Sequence, residues 1–425
     1  EKARPDISPK SSMLVRTASL VLWAAGALVG KLVGSPQAAG FFSFLLLLGL
    51  ASRLWASLSL RRVDFELYAP VRRAFPGQTL EVELRLANHK FLPLVWAELV
   101  QLFGRDAPLL PAEGVRPLSR EESALEGFEG AELLGWRQRF SLLLWESQVR
   151  CPCRWQAMRR GIYRPQRVLL RSGDGLGLTQ LALSVAVPGR PFAVYPALQP
   201  VRTGPFLRYV WTSQRGGRGF LEDPTLLRST RPYQPGDPYR QLNWRMAALG
   251  LPLESNIQET VLPRNAHFVL DGQSWQGPDA DRPGLEDALS VIASLAVELE
   301  ERGVRCGLSL PAGAGGGPVC LPAFGGPGRE ELLYCLAAYQ PRPDELDGEG
   351  KVKPAAPSRF EEGALASAQG QGERLYIFCR RADASPPAFL RRLLEGGARL
   401  VLAREPEGPL PWPHLTLDSL KGGGG

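Results

Sequence analysis

The sequence predicts a multidomain chain of three parts: an N-terminal transmembrane helical hairpin, a β-sandwich-like domain, and an α/β domain on a mostly parallel sheet. Three observations predict it. Apolar residues crowd into roughly the first 60 positions, from 63 onward short stretches alternate apolar and polar, and beyond 265 strands alternate with helical faces. A chain of 425 residues, 44% hydrophobic and 22% charged, is long enough for several domains with real cores.

The hairpin comes first. Leu14 to Val33 is about the ~20 residues that a helix needs to cross a hydrocarbon core, with Arg16 and Lys31 near its ends to reach the interfaces. Gly34-Ser35-Pro36-Gln37 is a turn, and a second apolar run extends from Ala38 to Leu60. That second run argues against a cleaved signal peptide, and Arg53 near its end leaves a shallow or tilted insertion open. Lys2, Arg4, Lys10 and Arg16 precede or open the hairpin and Arg61, Arg62, Arg72 and Arg73 follow it, with only Lys31 near the turn. The basic flanks predict that both ends face the cytoplasm, with residues 1–62 as the anchor.

Residues 63–200 read as short strands: Val63 to Leu67, Leu80 to Leu86, Leu94 to Leu102, Gly135 to Leu144, Val149 to Met158 and Arg167 to Arg171. Phe75-Pro76-Gly77-Gln78 supplies a turn, and strands so spaced, without helices among them, suggest an antiparallel sandwich. Cys151 and Cys153 lie on one strand face as small half-buried thiols, and six scattered cysteines fit a reducing compartment. His89 reads as a turn residue beside Asn88. The domain reads as a spacer or binding module.

A signature segment follows within 201–264, otherwise read as a linker: Arg231, Tyr233, Pro235, Gly236, Asp237, Arg240, Trp244 and Ala248 stand in LRSTRPYQPGDPYRQLNWRMAALG. Pro-Gly-Asp is a turn signal, and Arg231, Arg240 and Arg245 around Asp237 and Trp244 suggest an ion pair with a guanidinium on the indole. These residues suit either a rigid unit joining two domains or a ligand or partner site. The motif closely resembles that of the bacterial family called domain of unknown function fifty-eight. Arg160-Gly161-Ile162-Tyr163 followed by Asp174-Gly175-Leu176-Gly177-Leu178 resembles an earlier feature of the same family, with Gly175 in place of its usual proline. The resemblance implies a von Willebrand factor A-like (Rossmann-like) α/β domain, a membrane anchor, and a MoxR-type AAA+ ATPase as partner.

In 265–421, Ala266 to Leu270 reads as a buried strand and Leu285, Ala288, Leu289, Ile292, Leu295, Ala296 and Leu299 as one helical face closed by Gly303. Val304 to Leu310, Leu375 to Cys379 and Leu400 to Ala403 are further strands, the last closing the sheet, and Arg329 to Tyr339 and Pro386 to Leu394 are helices. A von Willebrand A domain holds a divalent cation on hydroxyl and carboxylate oxygens after its first strand. Here that loop is Asp271-Gly272-Gln273-Ser274-Trp275, where Gln273 and Trp275 replace the hydroxyl residues and Arg380-Arg381 follow a neighbouring strand. No metal and no cofactor are expected. The loop and the arginines instead form a candidate partner surface, unless Trp275 folds back over the sheet end. The glycine run from Pro311 to Gly317 lacks a phosphate-loop lysine and reads as a mobile loop, 341–358 as an exposed insertion, and 422–425 as a tail.

Three histidines and no recognisable nucleophile, metal cluster or phosphate loop argue against an enzyme. A net charge of +7 and a pI near 9.2 suit an anionic membrane surface, and the single basic run from Gln214 to Phe220 reads as a solvated loop, not a nucleic-acid site. The expected function is a membrane-tethered adaptor at the bacterial inner membrane, with cytoplasmic domains coupling the ATPase to client proteins. The alternatives are a cryptic envelope enzyme and a lipid or nucleic-acid sensor.

Overall fold

The computed structural model describes residues 7–104, 106–117, 133–165, 167–187, 189–211, 221–261, 265–275, 282–314, 316–323, 328–341, 365, 373–381, 388–406 and 408–422. The expectations for 1–6, 214–220 and most of 341–358 lie outside these residues. The chain divides into two compact units, Glu1–Tyr195 and Pro196–Gly425.

The first unit begins with two apolar helices, α1 (Thr17–Leu32) and α2 (Pro36–Ser59), joined by a turn at Gly34, whose φ of +75° suits glycine. Helix α2 is long and apolar enough to cross a membrane by length and composition. Helix α1 starts at Thr17, three residues later than the sequence suggested, because Arg16 is extended; its 16 residues fall short of a full crossing. The helices approach closely at small residues. A Cβ on Gly26 would meet the Phe42 ring, and one on Gly30 would meet the backbone of Ala39. Leu22, Leu28, Phe41, Phe44, Leu47 and Leu54 remain uncovered on their outer faces.

Behind the helices stand several sheets. One runs in the order β1 (Ile7–Ser11), β12 (Thr179–Ala186), β11 (Arg167–Gly173), β5 (Leu94–Gly104), β8 (Leu133–Leu143), β7 (Val115–Pro117). A second is β2 (Val63–Tyr68), β4 (Thr79–Asn88), β9 (Ser147–Ala157), β6 (Leu109–Pro111). A third, β10 (Gly161–Tyr163), β13 (Phe192–Val194), β3 (Arg73–Ala74), contains a parallel pair, β13 with β3, so the unit is not wholly antiparallel. The period-two pattern explains the core. Leu80, Val82, Leu84 and Leu86 of β4 are buried with Leu67 of β2, Leu99 and Phe103 of β5, Phe140 of β8 and Trp155 of β9 in one cluster. Tyr163 stacks on Phe103 at 5.2 Å between centroids, and its hydroxyl takes a hydrogen bond from Gln101 and donates to Leu102 O. Tyr163, the last residue of the Arg160 to Tyr163 feature, is thus part of the core.

The second unit holds a six-stranded sheet in the order β18 (Val319–Leu321), β17 (Arg305–Leu310), β16 (Asn265–Leu270), β19 (Arg374–Cys379), β20 (Arg399–Leu402), β21 (His414–Thr416). All neighbours are parallel except β18, which runs antiparallel at one edge. The sequence reading ended the sheet at Leu400 to Ala403 and omitted both short edge strands. Successive residues face opposite sides. Leu375, Ile377 and Cys379 pack with Leu393 and Leu394 of a helix at Ala388–Glu395, while Tyr376 and Phe268 face the other way onto Phe206.

Phe206 corrects the linker reading of 201–264. It lies on α3 (Gly204–Trp211), is fully buried, and meets the Tyr376 ring at 4.4 Å. Within that stretch the described residues also form a two-stranded ribbon, β14 (Leu221–Pro232) with β15 (Glu254–Val261), and a lobe between them containing the short α4 (Trp244–Ala248). Among the described residues, α5 (Arg282–Glu301), α6 (Arg329–Ala338) and α7 (Ala388–Glu395) follow. Gly422 is no mere tail, because its N–H bonds to Pro200 O at 2.8 Å. A last turn, α8 (Leu417–Leu420), precedes Lys421, whose ammonium sits 2.6 Å from Asp287.

Candidate functional site

The signature segment is built around Asp237. Its Oδ1 accepts from Arg231 Nη2 at 2.6 Å, and its Oδ2 accepts from Gln234 N at 3.0 Å and from Ser255 Oγ at 2.9 Å. The Gln234 amide, then Arg231 and Ser255, hold this carboxyl below the usual carboxylate range. Gly236 takes φ +113°, a left-handed region closed to most side chains, which lets the chain turn back under the carboxylate. Pro235 stands before it, and Tyr233 N bonds to Leu253 O to close the base of the lobe. Asn243 caps α4 through its side chain to Met246 N.

The motif therefore divides. Arg231, Gly236 and Asp237 fold the turn, whereas Arg240, Trp244 and Ala248 are displayed on the lobe. Trp244 is 61% exposed, and among the described residues no guanidinium stacks on its indole, which corrects the expected cation and ring arrangement. Tyr239, Leu249, Leu251 and Leu253 are also exposed. From Pro238 to Leu253 there is no acidic residue, and the charges are Arg240 and Arg245. An apolar, basic projection results.

At the sheet edge expected to be a partner surface, the tryptophan folds back. Trp275 is 3% exposed, its Nε1 directed at Phe378 O at 3.5 Å, so it is removed from that surface. Ser274 Oγ donates to Asp271 O at 2.9 Å and accepts from Arg380 N at 3.1 Å, stitching the loop to the end of β19. Asp271 and Arg381 have interaction partners of their own, and Gln273 lies within the same short turn at Gly272–Trp275. Among the described residues no group of three or more His, Cys, Asp or Glu side chains is arranged to hold a metal ion.

In the first unit, Asp174 of the Asp174 to Leu178 segment is buried beneath α2. Its Oδ2 accepts from Ser52 Oγ at 2.6 Å and its Oδ1 from Thr179 N at 3.1 Å. Ser52, Ala56 and Ser59 are buried, so one face of the final turns of α2 is covered by protein. Lys90 Nζ donates to the carbonyls of Leu58 and Ser59 at the end of α2, and burial lowers its pKa to about 8. An open groove of about 740 Å³ is lined by Tyr68, Glu83, Trp136, Arg137, Cys153 and Arg154 among others. It has no activated nucleophile, since burial, with Cys151 nearby, pushes the Cys153 thiol up to about 12. His89 is exposed, with Asp64 at 3.4 Å.

One cluster has no counterpart in the sequence reading. His267, fully buried on β16, has Nδ1 2.6 Å from Glu373 Oε2 and Nε2 2.7 Å from Ser309 Oγ on β17. Glu373 Oε1 accepts from Ala323 N at 3.0 Å, and Ser309 Oγ donates to Cys320 Sγ on β18 at 3.3 Å. Carboxylate, imidazole and hydroxyl in this order resemble a serine-nucleophile relay. Ser309 is buried, however, and the outermost member is the half-buried Cys320. The members come from four places in the chain, and only their strand pairing joins them.

No protein-family profile matches the chain. No curated protein matches it either. Among solved structures, a protein described as membrane anchored from Corynebacterium diphtheriae is similar over 31% of this chain and 31% of its own, at 14% identity and TM-score 0.19. A GH20 exo-β-N-acetylglucosaminidase from Vibrio harveyi is similar over 75% of this chain and 56% of its own, at 12% identity and TM-score 0.20. A type II cohesin domain from the cellulosome of Acetivibrio cellulolyticus is similar over 31% of this chain and 94% of its own, at 7% identity and TM-score 0.15. The chain spans about a third of the first and just over half of the second. At such scores the likenesses carry no functional argument.

Proposed function

We propose that the chain is a membrane-anchored adaptor of the family called domain of unknown function fifty-eight, an interaction protein whose lobe at Tyr239 to Leu253 docks a MoxR-type AAA+ ATPase. The observation that carries the reading is the division of the signature motif. Its charged half is spent on folding a turn, and its other half, Arg240 and Trp244, is held out to solvent beside exposed leucines. Tryptophan with arginine in a local apolar patch is the composition of an interface hot spot. The lobe has only positive charge, which complements an acidic partner surface.

The α/β unit supports a von Willebrand A-like reading through its topology. Counted within the six-stranded sheet, the strands run third, second, first, fourth, fifth, sixth, the order of a doubly wound sheet, with the third antiparallel. The helical hairpin of α1 and α2 would hold the chain in the inner membrane, and Arg61, Arg62, Arg72 and Arg73 favour a cytoplasmic position for the sheets beyond it. Client proteins would be delivered to the ATPase by the same chain.

The test is capture by the detergent-solubilised full chain of a MoxR-type ATPase, locked with ATP analogue or free of nucleotide. Trp244→Ala combined with Arg240→Glu is expected to abolish capture at unchanged melting temperature. Full capture by that variant places the docking surface elsewhere, and no capture by the wild type removes the ATPase partner.

A further inference from the structure

We propose that Cys320 is a nucleophilic thiol, activated through Ser309 by the buried His267 and Glu373 pair, and that it exchanges with low-molecular-weight disulfides. The argument starts from what burial demands. An imidazole and a carboxylate shut away from water are costly unless every polar atom is matched. Glu373 alone would satisfy His267 Nδ1, and Ala323 N satisfies the other carboxylate oxygen. The second ring nitrogen needs only one hydroxyl. Ser309 supplies it and also extends the chain of hydrogen bonds outward to a sulfur on the edge strand of the sheet. The space for the ring is kept by Gly307, where a Cβ would collide with His267 Nδ1 and with the backbone of Leu321 and Ala323.

The relay has two proton arrangements. With a neutral ring, Cys320 donates to Ser309 Oγ and Ser309 donates to His267 Nε2. Moving both protons inward leaves a thiolate that accepts from Ser309 and an imidazolium that donates from both nitrogens, to Ser309 Oγ and to the Glu373 carboxylate. The two groups shift in the matching directions. Burial works against a charged ring, but the proximity of Cys320 and Glu373 outweighs it and raises His267, while the nearby His267, helped by the hydrogen bond from Ser309, pulls the Cys320 thiol down against its own burial. Charged groups acting on either residue are the other one and Glu373. Every other cysteine is displaced the opposite way: burial pushes Cys151, Cys153, Cys306, Cys335 and Cys379 up.

In the exchange, the Cys320 thiolate attacks one sulfur of a disulfide RSSR, forms Cys320–S–S–R and releases RS⁻. Cys320 is oxidised, the departing half is reduced, and no outside oxidant is needed. The reaction occupies the sulfur to which Ser309 donates, so it reports at the sheet edge through β17 and β18. A second thiol reverses it.

The six thiols of one chain provide their own controls. The full chain in detergent micelles is treated with limiting iodoacetamide from pH 5.5 to 8.5, or with oxidised glutathione at pH 7, and each cysteine peptide is quantified by mass spectrometry. Cys320 is expected to alkylate about tenfold faster than the half-buried Cys151 and Cys335 at pH 6.5, with a rate that reaches its plateau at lower pH than theirs, and to carry the glutathione adduct. His267→Gln and Glu373→Gln should each return Cys320 to the steep pH dependence of Cys335 while leaving Cys151 unchanged. The wild-type profile decides the matter even if a variant fails to fold. Cys320 rising with pH in parallel with Cys335, or remaining free of glutathione while another cysteine is modified, overturns the proposal.

Discussion

Asp174 and Asp237, one in each unit, stand at opposite ends of their turns, the first bonding forward to Thr179 and the second back to Gln234, and do different work. Asp174 is 4% exposed and binds Ser52, which lies 122 positions away on α2, so it clasps an apolar helix to a sheet. Asp237 finds its partners within 18 positions, at Arg231, Gln234 and Ser255, and shapes a surface lobe. Both carboxylates accept a backbone N–H and a hydroxyl. The difference lies in which contacts are lost with them: losing Asp174 frees distant elements from one another, whereas losing Asp237 frees one local turn.

The largest expected effect follows from Asp174→Ala. The substitution removes the acceptor for the Ser52 hydroxyl and for Thr179 N in a buried site. A loss on the order of 3 kcal/mol is expected, read as a lower unfolding midpoint of the full chain in detergent and faster amide exchange over Ser52 to Leu60. A midpoint equal to the wild type would mean that the helix is held by its apolar packing and by Lys90 without help from Asp174.

A smaller effect, about 1 kcal/mol, is expected for Ser52→Ala, because Thr179 Oγ1, 2.9 Å from Ser52 Oγ, remains near the carboxylate. The double substitution sharpens the point. If the two residues act through their shared hydrogen bond, its cost is less than the sum of the single ones by about the worth of that bond. Strict additivity would separate them and leave Asp174 acting only on β12.

The same contrast explains how much of the molecule could be read from its sequence. Repeated alternation marked β2 and β4, and the spacing of Leu285 through Leu299 marked α5, because each pattern is written locally. The strands Val319–Leu321 and His414–Thr416 have three residues each, too few to show a period, and they exist because β17 and β20 offer them an open edge. Phe206 looked like linker, since its burial is decided by Tyr376, 170 positions on. Trp275 was open to two readings, and the carbonyl of Phe378 settles it in favour of burial. The turn at Pro235-Gly236-Asp237 and the Arg231 pair were legible as local chemistry. The His267 cluster was not, because its members are joined only by the pairing of β16 with β17 and of β17 with β18 and by the start of β19. A histidine next to a fully apolar run, facing a glycine on the neighbouring strand, was its one faint signal.

The smallest effect on the whole chain, and the most local, is expected at Asp237. Its pKa in the folded lobe is depressed, so the stabilisation that it supplies is fully present above the unfolded carboxylate value of about 3.9 and is lost as pH falls through the lower folded value. Arg231 is 38% exposed, so solvent screens the pair and the unfolding midpoint should move less than in Ser52→Ala. The readout is therefore local. Tyr233 N bonds to Leu253 O and Asn243 N to Glu254 O, and the protection of these two amides reports whether the lobe is closed. After correction for intrinsic exchange rates, the wild type should keep that protection at pH 7 and lose it in acid. Asp237→Asn should have weaker protection at pH 7 and lose little more on acidification, because the titrating group is gone. Parallel losses in the two proteins would place the acid sensitivity in another group and reduce Asp237 to a neutral turn residue, leaving Gly236 and the strand pairing of Pro232 with Glu254 to hold Trp244 outward.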